Sequence, residues 1–406
     1  MQEDTKTLDE VVVVGYGVQK KSDLTGAVAS VKAADVLKDT PSSNVSDALQ
    51  GRLAGVSVFS GGDPSQDMTI RIRGINSINA ETGPLVVIDG FIGGNLKNLN
   101  PADIQSVEVL KDASATAVYG SRGANGVILV TTKSAFDDKI TVNVNAFSNF
   151  KTVLKYPDTL SPADYAELVN DYGREYNESK GNKPVVYYTD SEIADFRSGL
   201  KGYDYVRNIF NDPAVSQNYE FSVSGRSKNS ISFLTSGRYE NNEGVIRNSK
   251  YDQYNWRLKL DFDIKNWWKT GVNFWGSYAT NEGPRLTQYE GLLITAMNYP
   301  NTVEPKDEKG NYNNIFPVNG QVAYNPMGHI QEMNQKNKRL VNHLQAYVDF
   351  KLLQGLNFRS QFGATFLNSQ SLNANNEKSY YFLKNSHTSA TARSEWSFSW
   401  LNTMLS

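Results

Sequence analysis

Few residues of this chain combine the type and the spacing that catalysis or metal binding requires. Its 406 residues include no cysteine and three widely separated histidines, His329, His343 and His387. Without cysteine there is no thiolate ligand or nucleophile, and the histidines do not form the i, i+4 pair of a metal-binding helix. Residues 307–311 (DEKGN) lack the remaining positions of an EF-hand loop. We therefore predict a protein that is not an enzyme and holds no metal or cofactor.

The glycine-rich stretch at residues 119–126, YGSRGANG, is the other candidate for chemistry. A phosphate-binding loop needs a Lys-Ser/Thr pair, and a dinucleotide fold needs a different glycine spacing. Neither is present, so this stretch predicts a turn in which the glycines supply positive φ angles.

Composition narrows the class of protein further. The net charge is -2 and the pI is about 6.0, which predicts no nucleic-acid partner. There are 22 tyrosines, 18 phenylalanines and 6 tryptophans, yet mean hydropathy is only -0.48, a combination that favours strands with one apolar and one polar face. No apolar run reaches the ~18 residues of a membrane-spanning helix, and the start, MQED, does not resemble a signal peptide.

The pattern of predicted strands and helices, which must position any site, changes near residue 135. Before it, short strands and helices alternate: a helix is predicted at residues 44–53, strands at 84–90 and 127–132, and short elements between them. After it, apolar and polar residues alternate over long stretches, most clearly at residues 254–265, where one face is apolar and the other polar. About eight such stretches are visible, beginning near residues 140, 219, 230, 254, 268, 344, 356 and 394.

The connections between these stretches are short on one side and long on the other. Outer-membrane barrels have this asymmetry, with tilted strands of about ten residues. The alternative is a soluble β-sandwich with its apolar face inward, although soluble strands average about five or six residues. The pattern favours the barrel.

Specific motifs then indicate a family. The stretch LDEVVVVGYGVQKKSDLTGAVASV (8–31) resembles the N-terminal signature of SusC/RagA-like TonB-dependent outer-membrane transporters. The segments NVSDALQGRLAGVSV (44–58), IRIRGINSIN (70–79), PLVVIDG (84–90) and SVEVLKDASATAVYGSRGANGVILVTTK (106–133) are similar to the plug domain of that family, in the same order.

The resemblance implies a mixed α/β plug domain followed by antiparallel transmembrane β-barrel strands, of which this chain carries a part of the family's barrel of about 22 strands. It implies a TonB-interacting segment at residues 1–18, a plug at 19–135 and the first barrel strands at 136–406. It also implies location in the outer membrane, contact with its lipid, energy from TonB with ExbB/ExbD, a SusD-like surface lipoprotein, and import of an oligosaccharide or a peptide. The alternatives are a receptor for a siderophore, vitamin or signal, and a soluble β-rich binding module.

Candidate site residues follow from the same resemblance. The TonB-binding segment is assigned to Asp9, Glu10, Val11, Val12, Val13 and Val14, which would pair with no local strand and so could add to a partner's sheet; the alternative is an ordinary first strand of the plug. Substrate contacts are assigned to plug-loop residues Asn76, Ser77, Asn79, Phe91 and Asn95, which could equally be solvated turns. Plug–barrel docking is assigned to Arg71, Arg73 and Arg122, with carboxylates such as Asp261 and Asp263 as barrel partners.

Overall fold

The computed structural model describes most of the chain. The described residues are 11–14, 17–20, 28–32, 45–59, 65, 67–74, 83–134, 139–227, 230–284, 291–314, 323–375 and 389–405. Five of the predicted site residues, Asp9, Glu10, Asn76, Ser77 and Asn79, lie outside them.

The N-terminal segment forms a hairpin. Strand β1 (Val11–Val14) pairs antiparallel with β2 (Gly17–Lys20), with Val11 opposite Lys20. The prediction that Val11–Val14 pairs with no local strand is therefore wrong. The two strands form a sheet of their own.

Next comes a small mixed domain, hereafter the small domain, within residues 28–134. Its elements are β3 (Val28–Lys32), α1 (Val45–Leu49), β4 (Val56–Phe59), β5 (Thr69–Ile72), β6 (Leu85–Ile88), β7 (Phe91–Ile92), β8 (Ile104–Leu110), α2 (Ala113–Thr116) and β9 (Val127–Thr132). A five-stranded sheet has the order β3-β8-β9-β6-β7, and β4 pairs with β5 separately. Only β6 and β9 run parallel within the five-stranded sheet. Val109, Leu110, Val127 and Ile128 are fully buried at its centre, as continuous apolar runs predict.

The rest of the chain builds one large sheet, hereafter the long-stranded sheet. Its strands are β10 (Thr141–Lys151), β11 (Ala214–Arg226), β12 (Ile231–Glu243), β13 (Lys250–Lys265), β14 (Trp268–Pro284), β15 (Met333–Leu353), β16 (Leu356–Asn375) and β17 (Ser389–Leu405). Each pairs antiparallel with the next in chain order. Their lengths of 11 to 21 residues exceed those of ordinary soluble strands.

The two faces of this sheet are inverted relative to a soluble sandwich. On β13 the polar side chains Asn255 and Arg257 are only 6% and 3% exposed, whereas the apolar Tyr254 and Leu258 on either side of them are 47% and 42% exposed. The small domain covers the polar face. The soluble-sandwich alternative requires the apolar face to be inside, so the burial pattern contradicts it.

Aromatic side chains form two bands on the apolar face. Tyr219, Tyr239, Tyr254 and Tyr278 stack across four neighbouring strands, with ring centroids 4.8 to 6.4 Å apart. Near the opposite strand ends, Trp267 stacks on Trp268 at 6.2 Å, and Phe350 packs against both. Tyr278 and Trp268 share β14 and lie about 33 Å apart along it, at about 3.3 Å per residue.

The long connections contain helices that the sequence analysis did not predict. The first carries α3 (Pro162–Ser179), α4 (Asp190–Ser198) and α5 (Tyr205–Asn208), and the next carries α6 (Leu292–Asn298) and α7 (Pro326–Glu332). Capping residues mark two starts: Ser161 caps α3, and Thr189 with Glu192 forms a capping box on α4. Such caps are readable in sequence. Among the described residues, no helix is both long enough and apolar enough to cross a bilayer.

Candidate functional site

One carboxylate joins the small domain to the long-stranded sheet. Asp89 follows β6 in a left-handed conformation (φ 48°), which begins the Asp-Gly turn. Its Oδ2 lies 2.8 Å from Arg257 Nη2 and 3.7 Å from Lys259 Nζ, both on β13. Asn273 of β14 donates to the same oxygen at 3.3 Å. The backbone N–H of Thr132, on β9, donates to Oδ1 at 2.8 Å.

Both side chains of this ion pair are largely buried. The side chains of Arg257 and Asp89 are 2% and 14% exposed. Burial alone would raise the pKa of Asp89, but the charges of Lys259 and Arg257 and the hydrogen bonds from Thr132 outweigh it, so the pKa lies below its usual value. A depressed pKa means that the carboxylate stabilises docking at neutral pH, and that this contribution is lost only as pH falls through the folded-state pKa.

Further polar contacts extend along the same boundary. Amide side chains of the long strands donate to backbone carbonyls of the small domain. The pairs are Gln345 to Asp89 at 2.9 Å, Gln361 to Gly90 at 3.3 Å, Gln253 to Lys97 at 2.9 Å and Asn255 to Asn98 at 3.0 Å. Two hydroxyls donate to side-chain oxygens: Ser277 to Asn98 at 3.1 Å and Ser236 to Asp103 at 2.5 Å. Many hydrogen bonds thus join the small domain to the long-stranded sheet, in addition to the Asp89 ion pair.

An aromatic anchor sits within this polar boundary. Phe91 is 6% exposed and packs edge-on against Trp275 and His343, each with ring centroids 5.4 Å away. Gly363 permits the approach, because a Cβ there would lie 2.6 Å from the Phe91 ring. Phe91 was predicted to face substrate. The structure instead buries it against β14 and β15, so that prediction is wrong.

The side chain of Asn95 makes its hydrogen bonds within the small domain. Its Oδ1 accepts from the backbone N–H of Lys97 at 2.8 Å, and its Nδ2 donates to Asp67 at 2.6 Å. The side chain therefore caps a short 3₁₀ turn (Leu96–Asn98). Its contact with substrate stays a prediction.

The predicted docking arginines do not reach the predicted barrel carboxylates. Arg73 pairs with Asp112 of the small domain at 2.5 Å, and Arg71 lies over the ring of Phe59, 5.5 Å from its centroid. Arg122 is exposed and lies beside Gly93. These contacts are all within the small domain.

The barrel carboxylates also have other partners. Asp263 is 2.6 Å from Arg226 and 2.8 Å from Lys269, and Asp261 accepts from the Tyr347 hydroxyl at 2.8 Å. The predicted pairing of Arg71 and Arg73 with Asp261 and Asp263 is therefore wrong. Arg73 and both carboxylates have partners within their own domain or sheet, and Arg71 lies over Phe59 instead.

Sequence reasoning missed the residues that do join the two parts. Asp89 ends a buried apolar run, where an unpaired carboxylate is costly, and this was a usable signal. Arg257 and Lys259 lie on the polar face that was recognised at residues 254–265. Nothing in the sequence indicated that Asp89 would contact Arg257 and Lys259.

Comparisons with known proteins give a consistent picture. Residues 20–127 match the family model described as TonB-dependent Receptor Plug Domain. TonB-dependent receptor P26 of Formosa agariphila is 38% identical over 378 residues, covering 91% of this chain and 36% of that protein. TonB-dependent receptor SusC of Bacteroides thetaiotaomicron is 37% identical over 271 residues, covering 64% of this chain and 25% of that protein.

The fold has solved counterparts. The structure described as the RagAB peptide importer in the 'open-open' state superposes with a TM-score of 0.77 at 24% identity, over 97% of this chain and 46% of that one. The chain thus spans about a third of the length of the curated relatives it matches.

Proposed function

The chain belongs to the SusC/RagA-like TonB-dependent receptors, and on that premise we propose that it supplies the plug and part of the barrel wall of an outer-membrane importer. The small domain is the plug and the long-stranded sheet is the wall. TonB, energised through ExbB/ExbD, pulls on the N-terminal segment, and the plug moves away from the wall to let a nutrient pass.

The polar boundary around Asp89 is the observation that carries this proposal. The packing between two fixed halves of a domain is mostly apolar. Pulling such halves apart in water exposes apolar surface at a high cost in free energy. Hydrogen bonds between plug and wall can be exchanged for hydrogen bonds to water, so their net cost is about 1 kcal/mol each. A plug held in this way can be displaced as a unit.

The apolar outer face supports placement in a membrane. A tilt of about 40° converts the separation of Tyr278 and Trp268 into about 25 Å along the membrane normal, which is the height of the apolar band in outer-membrane barrels. Aromatic girdles flank that band in such barrels, as the tyrosine and tryptophan bands would here. The long connections then lie on the outer side, away from the short turns.

The proposed cargo is an oligosaccharide, with a peptide as the second candidate. Similarity to SusC supports the family context, while the solved RagAB structures are described as a peptide importer. A SusD-like surface lipoprotein is proposed as the partner over the outer opening.

Linking plug to wall tests whether import requires plug movement. Asn98→Cys with Ser277→Cys places two thiols where the wild-type side chains are 3.1 Å apart, in a chain that has no other cysteine. Oxidising the two thiols to a disulfide in cells carrying the full-length protein should reduce uptake to the level of cells without TonB, and a reductant should restore it.

The matched control joins two positions within the wall. Asn143→Cys with Ser222→Cys lies across β10 and β11, where the side chains are 3.4 Å apart, and its cross-link should leave uptake unchanged. Full uptake through a cross-linked plug would contradict the proposal.

We further propose that the Val11–Val14 strand, with Asp9 and Glu10 before it, is where TonB attaches. Its pairing with β2 leaves the second edge of β1 without a hydrogen-bonded strand among the described residues, and an edge of this kind can accept another strand. Because proline removes backbone donors, Val12→Pro with Val13→Pro should abolish uptake and TonB binding. Val12→Ile with Val13→Ile keeps the donors and should retain both. Normal uptake by the double-proline protein would rule out this attachment site.

A further inference from the structure

A cavity lies among the helices of the two long connections, away from the plug. It has a volume of about 690 Å³ and is walled by the start of α3, the segment between α4 and α5, and the end of α6. This volume is within the range of small-molecule sites, about 300–1,000 Å³. Neither the comparisons nor the import mechanism above assigns it a role.

The walls of the cavity are fixed to one another. The backbone N–H of Tyr203 donates to Asn301 O at 2.8 Å, Asn301 Nδ2 donates to Leu160 O at 2.5 Å, and the hydroxyls of Tyr188 and Thr302 are 2.8 Å apart. All three bonds join the first connection to the second. A site whose walls are already ordered binds ligand without an ordering cost.

Aromatic rings make its floor rigid. Tyr203 packs edge-on against Tyr205 at 4.9 Å, and Tyr205 packs in the same way against Tyr299 at 4.7 Å. The hydroxyl of Tyr205 donates to Val303 O at 2.8 Å. Gly202 has φ +103°, and a Cβ there would lie 2.6 Å from Pro162, so the backbone beside Tyr203 closes tightly on α3.

The lining combines apolar and polar groups, and two of its three charged side chains are paired; the third, the exposed carboxylate of Asp158, has no ion pair among the described residues. Lys201 pairs with Asp195 at 2.9 Å, and Asp204 pairs with Arg207 at 3.5 Å. Half-buried Tyr165 and Tyr203 and exposed Leu168 supply apolar surface, and Asn298 supplies an amide. A mostly apolar ligand would leave the amide and carboxylate groups unpaired, and an anionic one would meet the carboxylate of Asp158 with no unpaired cation among the described lining residues. The lining suits a neutral molecule with both apolar faces and hydroxyl groups.

We propose that this cavity binds a short neutral oligosaccharide on the outer face of the protein. The proposal rests on the function above for the outward placement of the long connections. Sugar rings present C–H faces to aromatic side chains and hydroxyls to amides and carboxylates, which are the groups of this lining. The cavity captures ligand before it reaches the plug.

Binding to the purified full-length protein tests the assignment. The probes are maltohexaose, cellohexaose, xylohexaose and mannohexaose, with an acidic oligosaccharide and a mixed peptide library for comparison, measured by calorimetry. At least one neutral sugar should bind, and Tyr203→Ala should weaken its Kd at least 10-fold. Tyr203→Phe keeps the ring and should stay within about 3-fold, and Asn298→Ala, at the exposed rim, should weaken binding independently.

Tyr172→Ala is the matched control. Tyr172 is 58% exposed on α3 and does not line the cavity, so its loss should leave the Kd unchanged. The proposal is overturned if no neutral sugar binds, if the peptides bind instead, or if Tyr203→Ala and Asn298→Ala leave the Kd unaltered. The plug cross-link tests import separately from sugar binding. If cross-linking stops uptake but no neutral sugar binds, only the assignment of this cavity is rejected.

Discussion

Asp89→Asn is expected to loosen the plug by about 3 kcal/mol, because removing one partner of a buried ion pair leaves the other charge unpaired. The uncompensated groups would be Arg257, 2% exposed, and Lys259, 13% exposed. Docking can be followed through Ser277→Cys, a wall position that is 2% exposed beneath the plug. In a full-length background without other cysteines, labelling of this thiol by a maleimide should be about 100-fold faster with Asp89→Asn.

A surface ion pair of the plug provides the control. Asp112→Asn removes the partner of Arg73, whose side chain is 53% exposed, and exposed pairs contribute about 1 kcal/mol or less. Labelling should then change less than about 5-fold. Asp89→Asn and Arg257→Gln should also be non-additive, since they remove the same interaction. Additive effects would mean that the two side chains stabilise docking independently.

Phe91→Ala is expected to produce an effect of similar size through packing. Deleting a buried phenylalanine side chain costs about 3–5 kcal/mol, and Phe91 contacts both Trp275 and His343 across the boundary. Labelling of Ser277→Cys should again be at least about 100-fold faster. Because the ring is buried against the wall, the Kd for ligand in the docked state should not change.

An exposed phenylalanine of the same domain is the matched control. Phe59 is 53% exposed, so Phe59→Ala should leave labelling nearly unchanged. The opposite pattern for Phe91→Ala, with normal labelling and weakened ligand binding, would restore the substrate-facing role that the sequence predicted for Phe91.

The fold class was predictable because strand periodicity is a local property. Alternation at residues 254–265 identified β13, and the same pattern located the other seven strands of the long-stranded sheet. The apolar run at residues 84–90 likewise predicted a plug strand, and the plug motifs themselves match a family model. At residues 119–126 the predicted positive φ is found at Gly120 and Gly126, but Ala117–Gly123 is a 3₁₀ helix and not a turn. These features depend on residues that are close in the chain.

The helices of the long connections were missed although part of their signal is local. Ser161 and the Thr189–Glu192 capping box mark helix starts, but polar composition outweighed them in the prediction. The apolar residues that hold α5, α6 and α7 together, such as Tyr205, Leu292 and Ile330, come from two connections. Their joint burial has no local signature.

The contacts between plug and wall were decided by tertiary structure alone. Asp89 and Arg257 are 168 positions apart, and Gln361 is 271 positions from Gly90. The sequence by itself determined the strands, the plug and the family. It also determined that carboxylates and cations lie on polar faces. Which charged side chains pair across the boundary depends on how the plug is oriented against the wall. The predicted pairing of Arg71 and Arg73 with wall carboxylates was therefore wrong. Arg73 pairs with Asp112 and Arg71 lies over Phe59, both within the plug, and it is Asp89 that forms the ion pair with the wall.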